Sequence, residues 1–340
     1  MRVAVIGAGS WGTTVAALAT HNADEVVLWA RRPELAEAIT TRHENPDYLA
    51  GRPLPPELRA TSDLDEALSG AEVVVLGVPS HGFRAVLTEA RPAIPAGVPV
   101  VSLCKGLEQG SLLRMTEVVG EVLGRLAPDG KVGVLTGPNI AGEVVAGMPT
   151  ASVVAMGDQS CAESLQRLFM TSTFRVYTNP DVVGCEIAGV LKNVVAIASG
   201  IAQGLGCGDN ARAALITRGL AELTRLGLAV GGNPLSFLGL AGIGDLVVTC
   251  TSARSRNRHV GEELGKGRPL AEILAEMHMV AEGVRSTASV LTLAERAGVE
   301  MPIAEQVHAV LTGQSSGAEA VSALMLRQAK AELHGIRLVP

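Results

Sequence analysis

The first half of the chain alternates short Val-rich runs with stretches in which polar residues return every three or four positions. The runs are 2–7 (RVAVIG), 26–30 (VVLWA), 73–78 (VVVLGV), 98–103 (VPVVSL), 132–136 (VGVLT) and 152–156 (SVVAM), and the stretch 10–20 (SWGTTVAALAT) is typical of what lies between them. Strands that are apolar on both faces and joined by helical crossovers predict a mainly parallel sheet covered on both sides. From about Asp181 the pattern changes. The segments 181–204, 210–229, 257–265, 270–276, 286–298, 302–311 and 317–325 carry helical spacing with few β-runs. The Asn-Pro turn in 177–181 (YTNPD) marks the boundary. The expectation is a doubly wound α/β domain over 1–180 and an all-helical domain over 181–340.

Composition narrows the class. The 340 residues carry a net charge of −6, which gives no electrostatic case for wrapping nucleic acid. Cys104, Cys161, Cys185, Cys207 and Cys250 are scattered without a CxxC, so neither a zinc site nor a disulfide scaffold is indicated and a reducing cytoplasm fits. A loop motif that begins at Gly7 leaves no room for a signal peptide. Gly, Lys or Arg interrupts each long apolar run, so stable membrane insertion is not expected.

In 7–12 (GAGSWG) the Gly-x-Gly-x-x-Gly spacing follows a strand and opens a helix. Gly7 permits a tight turn, Gly9 lets a pyrophosphate approach the backbone, and Gly12 lets the helix pack closely on the sheet, which is the dinucleotide cradle of a Rossmann-type domain. Ser10 and Trp11 fill the variable positions, where Trp11 serves packing or the phosphates equally well. At the end of the second strand an NAD site wants an acid for the ribose hydroxyls, whereas this chain offers Arg31 and Arg32. Two cations there suit a 2′-phosphate, so NADP(H) is favoured with NAD(H) also admissible; a solvated charge pair is the plain alternative. Two more strand ends aim at the same crevice: Lys105 in 102–106 (SLCKG), and Gly137, Asn139 and Ala141 in 136–141 (TGPNIA).

The helical half raises a different question, because 191–200 (LKNVVAIASG) places Lys192 and Asn193 in a segment otherwise fit for a core. A buried ammonium is costly unless paired or used. Glu186 is one partner within reach. A second cluster, 241–261 (AGIGDLVVTCTSARSRNRHVG), sets Asp245 among glycines and Ser255, Arg256 and Asn257 before a helix. Ser, Arg and Asn at such a start supply donors for a phosphate dianion, although Arg254, Arg256 and Arg258 would also make an ordinary basic face. In 280–284 (VAEGV), Glu282 stands in a loop-like position between helices. Together these features describe a reductase cleft, and no HExxH, P-loop lysine or Ser-His-Asp spacing competes with it.

The segments GAGSWGT (7–13), SLCKG (102–106), TGPN with Ala141, the spaced pattern from Glu186 through LKNV to Ala196, TRGL with Glu222, GDL–TC–SRN (244–257) and EG (282–283) resemble the bacterial glycerol-3-phosphate dehydrogenases that use NAD(P). The resemblance runs nearly end to end. It implies a helical domain like the C-terminal domain of 6-phosphogluconate dehydrogenase, and reversible reduction of dihydroxyacetone phosphate to sn-glycerol 3-phosphate, a phospholipid precursor, by a cytoplasmic enzyme. It implies Lys192 as the proton-transfer residue, assisted by Lys105 and Asp245, with no metal required. Substrate contacts would be Lys105, Gly137, Asn139, Lys192, Asp245, Ser255, Arg256 and Asn257. Cofactor contacts would be Ser10, Trp11, Arg31, Arg32, Lys105, Ala141, Arg256, Val280 and Glu282, beside the three glycines. The departure is Asn139, where the family commonly carries Ser or Thr. Two other readings stay open: a two-domain dehydrogenase of a small hydroxy acid, and a dinucleotide-sensing regulator with a dead site. The partners expected are the small-molecule substrate and no nucleic acid, and a homodimer is left open.

Overall fold

The protein is described by a computed structural model over residues 1–277, 281–332 and 334–335. These fall into two compact units, Met1–Glu108 with Leu113–Val182, and Gln109–Leu112 with Val183–Pro340.

The first unit is built on eight strands: β1 Arg2–Ile6, β2 Glu25–Trp29, β3 Arg59–Thr61, β4 Val73–Leu76, β5 Val100–Ser102, β6 Val132–Thr136, β7 Thr150–Met156 and β8 Phe174–Asn179. They lie in the order β3-β2-β1-β4-β5-β6-β7-β8. Every neighbouring pair is parallel except β6 with β7. The central strands are valine-rich because both faces are covered. Val3 and Val5 of β1 join one apolar layer with the helix Ser10–Ala19, while Ala4 and Ile6 join the other with Phe83 and Leu87 of the helix Ser80–Ala90. Strand order reverses between β1 and β4, the place where sheets of this kind open a ligand crevice beyond their carboxyl ends. Two edge strands carry little sequence signal. β3 has three residues, and β8 alternates buried Phe174 and Val176 with exposed Arg175 and Tyr177.

In the second unit the helix Val182–Gly204 is buried along nearly its whole length. By length and composition it is apolar enough to cross a membrane, as is Pro234–Thr251, but 89% of its most apolar window is covered within the protein. Its companions include the helices Asp209–Ala229, Asp245–Thr251, Arg256–Gly265, Glu282–Arg296 and Pro302–Leu311. The helix that holds Glu282 begins at that residue, so Glu282 opens a helix and does not lie in a loop between helices.

One buried carboxyl braces this unit. Glu222 is 3% exposed and accepts from the backbone N–H of Ile303 at 2.8 Å and, more weakly, of Ala304, the otherwise unpaired donors at the start of the helix Pro302–Leu311. Burial pushes its carboxyl up to about 7, against the pull of those donors and of Arg225. The folded state thus holds this proton more tightly than the unfolded chain. The associated stability is complete below about pH 4.5, is lost as pH rises through about 7, and amounts to roughly 3 kcal/mol. Glu222→Gln keeps an acceptor without the charge. Its urea midpoint is expected to fall less between pH 5 and pH 8 than that of the wild type, and parallel falls would show that Glu222 is not the titrating group.

Candidate functional site

At the carboxyl end of β1, Gly7 has φ +112°, and a Cβ there would meet the Gly77 carbonyl oxygen at 2.7 Å. A Cβ on Gly12 would lie 2.0 Å from the Gly7 carbonyl oxygen, so the helix that starts at Ser10 rests directly on the turn. Gly9 differs, since a Cβ there would meet nothing within 4 Å. The result is a backbone cradle with open space over Gly9 and uncapped N–H groups behind it, which fits a pyrophosphate. Two residues that build it escape a reading of the motif alone. Gly77, after β4, packs against Gly7 and Gly12. Asn45, fully buried, donates to the Ala8 carbonyl and to the Thr13 hydroxyl. Its only sequence signal is a position before Pro46, which reads as a turn.

Ser10 opens this helix, and Trp11 packs its ring 6.3 Å from that of Phe174, with its indole N–H buried and lacking an acceptor among the described residues. Ala141 is near the same helix, because its carbonyl accepts a long 3.4 Å contact from Thr14. Arg31 and Arg32 follow β2 and are both exposed. They are not equivalent. Arg32 is ion-paired with Asp47, whereas Arg31 has no ion pair among the described residues.

Beyond β5 and β6, the half-buried Lys105 donates to the Gly137 carbonyl at 3.0 Å. Gly137 takes φ +140°, and this turn carries Asn139 back toward β7, where its amide donates to the Ser152 hydroxyl at 2.9 Å. Ser152 in turn donates to the Thr136 carbonyl. The Asn139 Oδ1 is buried with no partner among the described residues, an acceptor left over after Ser152 has fixed the side chain.

In the second unit Lys192 and Asp245 are 6% and 1% exposed, and the lysine ammonium donates to Asp245 Oδ1. It donates also to the Thr249 hydroxyl at 2.8 Å, whose own proton goes to the Asp245 carbonyl. A turn at Leu240–Gly244, tight enough that a Cβ on Gly242 would lie 2.1 Å from the Phe237 carbonyl oxygen, delivers Asp245 to the start of its helix. The lysine is therefore held by Asp245 of another helix, a pairing that the sequence leaves open. Cys250 lies alongside. Burial pushes its thiol up to about 12 against the influence of Lys192, so it stays a neutral packing group.

Around Arg256 the residues divide into two sets. Ser255 caps the helix Arg256–Gly265 by accepting from the Arg258 N–H. Arg256 reaches solvent, yet the protein around its guanidinium desolvates it and pulls it down from the ordinary value, opposed by the charge of Glu282. Asn257 is 8% exposed, and both ends of its amide serve the protein: it donates to Asn193 Oδ1 and accepts from the Gly283 N–H, each at 2.9 Å. Arg258 does not belong to a basic face. It is 5% exposed and clamped to the Ser252 carbonyl, to Gln203 and to Glu262. Val280 lies outside the described residues.

Two family models match the chain, the N-terminal part of NAD-dependent glycerol-3-phosphate dehydrogenase over residues 2–162 and the C-terminal part over 181–322. A glycerol-3-phosphate dehydrogenase [NAD(P)+] of Sphingopyxis alaskensis is 54% identical over 98% of this chain and 99% of its own. That of Thermobifida fusca is 51% identical over 98% and 99%. Among solved structures, the glycerol-3-phosphate dehydrogenase of Coxiella burnetii superposes with a TM-score of 0.89 at 39% identity, covering 96% of this chain and 99% of that one. With both halves matched and relatives of this similarity along the whole length, the chain belongs to the NAD-dependent glycerol-3-phosphate dehydrogenase family.

Proposed function

We propose that the protein is an NAD(P)-dependent glycerol-3-phosphate dehydrogenase that interconverts dihydroxyacetone phosphate and sn-glycerol 3-phosphate. The observation that carries the reading is the buried Lys192 held by Asp245 and Thr249 in a chain whose first unit presents a dinucleotide cradle. The backbone cradle of Gly7, Gly9 and Gly12 would hold the dinucleotide, which when bound would supply or accept the hydride at C2 of the substrate. Lys192 donates a proton to the C2 oxygen as negative charge develops on it, and takes the proton back in the reverse direction. Asp245 and Thr249 orient the ammonium. Arg256, assisted by Ser255 at the helix start, holds the remote phosphate, whose binding energy contributes to orientation. Lys105, Gly137 and Asn139 are assigned to the substrate by the family resemblance, and the Asn139 Oδ1, which has no partner among the described residues, suits a hydroxyl, which can donate. Gly7, Gly9, Gly12, Ser10, Trp11 and Ala141 receive the dinucleotide, with Val280 and Glu282 assigned to it by the family resemblance. Residues 1–180 are assigned to the dinucleotide and 181–340 to the substrate. The enzyme is assigned to the cytoplasm, without stable membrane insertion. A homodimer is the assembly proposed, since the helices from Pro234 to Thr251 expose Leu235 (71%), Leu238 (65%) and Val247 (41%).

The test is a spectrophotometric assay with NADPH and then NADH, presenting dihydroxyacetone phosphate beside unphosphorylated dihydroxyacetone and a panel of 2-keto acids. Turnover confined to the phosphorylated ketone is expected. Preference for a 2-keto acid would transfer the protein to the hydroxy-acid dehydrogenases, and cofactor binding without turnover would make it a sensor.

Cofactor choice is expected to rest on Arg31 more than on Arg32, because Arg32 already spends its charge on Asp47. One charge-assisted contact to the 2′-phosphate is worth about 1.5–3 kcal/mol, and exposure at the strand end favours the lower figure. Arg31→Ala should lower kcat/KM for NADPH about tenfold and leave NADH within about twofold. The wild-type preference should also shrink as salt rises. Equal losses on both cofactors would remove Arg31 from the 2′-phosphate.

A further inference from the structure

The two residues assigned to opposite ends of the substrate, Lys192 and Arg256, are each followed by a buried asparagine, and those asparagines are bonded to one another. Asn193 is 5% exposed and accepts from the Asn257 amide at 2.9 Å. From this tie the lysine helix, Val182–Gly204, and the arginine helix, Arg256–Gly265, run side by side in register. One turn on, a Cβ on Gly261 would stand 2.0 Å from the Ile197 carbonyl oxygen and 3.0 Å from the Gly200 Cα. A Cβ on Gly200 would stand 2.0 Å from the Arg258 carbonyl oxygen. Another turn on, Gly204 and Gly265 repeat the approach, each Cβ falling 3.0 Å from the other's Cα. Arg258 fastens the same pair of helices from the side through Gln203. Backbone therefore lies on backbone over two turns. Packing of that kind cannot slide or spread without breaking hard contacts, unlike an interface of flexible side chains.

We propose that this crossing is a spacer: it sets the distance between the Lys192 ammonium and the Arg256 guanidinium, and so selects substrates by the separation of their carbonyl oxygen from their phosphate. Gly200, Gly204, Gly261, Gly265 and Gln203 are positioning residues that touch no reacting atom. A phosphorylated ketone longer or shorter than the three-carbon substrate engages one end at a time. The inference rests on the proposed function, because it takes Lys192 and Arg256 as the two ends.

The test inserts one methyl group into the spacer. In Gly261→Ala the helices must part, and kcat/KM for dihydroxyacetone phosphate is expected to fall about 10²-fold, the scale of an ångström-sized misplacement. Inorganic phosphate, added as a competitor for the Arg256 end alone, is expected to show an inhibition constant within about twofold of that for the wild type, since neither end has been removed. General damage to the unit would weaken phosphate and substrate together, and that result would overturn the spacer, as would a kcat/KM within about threefold of the wild type. Gln203→Leu loosens the Arg258 fastening without adding bulk and decides the matter if Gly261→Ala does not fold. It is expected to lower kcat/KM about threefold with the phosphate constant unchanged, and an unaltered kcat/KM would overturn the proposal. A wild type that does not turn over dihydroxyacetone phosphate would instead overturn the functional reading on which the inference stands.

Discussion

Lys192→Ala is expected to lower kcat for dihydroxyacetone phosphate by about 10²–10⁴, the usual range for a positioned acid–base group. The residue is 6% exposed, its ammonium between Asp245 and Thr249, where water is poorly placed to take over the proton. Loss of the ammonium also removes positive charge from the oxygen on which negative charge develops. Lys192→Arg separates the two contributions, because a guanidinium keeps the charge but does not release a proton at accessible pH. Both variants should retain NADPH binding, measured by fluorescence titration, since the dinucleotide cradle lies in the other unit. Near-normal turnover in Lys192→Ala would dismiss the lysine from proton transfer. Near-normal turnover in Lys192→Arg alone would leave it an electrostatic role only.

The second large effect concerns stability and follows from the same pair. Asp245 is 1% exposed, and its carboxylate faces an ammonium that is almost equally buried. Removing one member of a buried pair strands the other charge, which costs about 3–5 kcal/mol, whereas replacing both by neutral groups of similar size is often close to neutral. Asp245→Asn should therefore lower the unfolding free energy by about 3–5 kcal/mol, read from urea denaturation. The double variant Lys192→Met with Asp245→Asn should regain most of that loss while remaining inactive. A chain that keeps stability but has no activity would show that the pair is retained for chemistry, at no gain in stability. If the single and double variants were equally destabilised, the loss would lie in the shape of the Asp245 side chain and not in its charge.

Much of this architecture was legible along the chain, and the physical reason is that the relevant information is local. Valine-rich runs buried on two faces read as parallel strands because alternate residues face opposite layers, as Val3 and Ala4 do. The glycine motif is local too: Gly7, Gly9 and Gly12 differ in what surrounds a missing Cβ, and their spacing alone anticipates a turn, an opening and a close contact. The presence of Lys192 and Asp245 as chemical groups was also readable, since a charge inside an apolar helix stands out against its neighbours.

Only the tertiary structure could decide which groups meet. Asp245, a partner of Lys192, lies 53 residues away, and no local spacing in the sequence announces that pairing. Of three neighbouring arginines, Arg258 is turned inward to Gln203 and Arg256 is left exposed, a distinction made by helix packing and invisible in the string SARSRNR. Asn257 reads from sequence as a phosphate donor, and only the packed helices show that its amide also donates to Asn193 and accepts from Gly283. Asn45 gave almost no signal, because bracing the Ala8 carbonyl is a task set by where a distant turn happens to arrive. Residue type and periodicity determine what each segment can be, since they act within a few positions of the chain. Pairing of buried polar groups is settled by distances between segments, and those exist only once the helices and strands have packed.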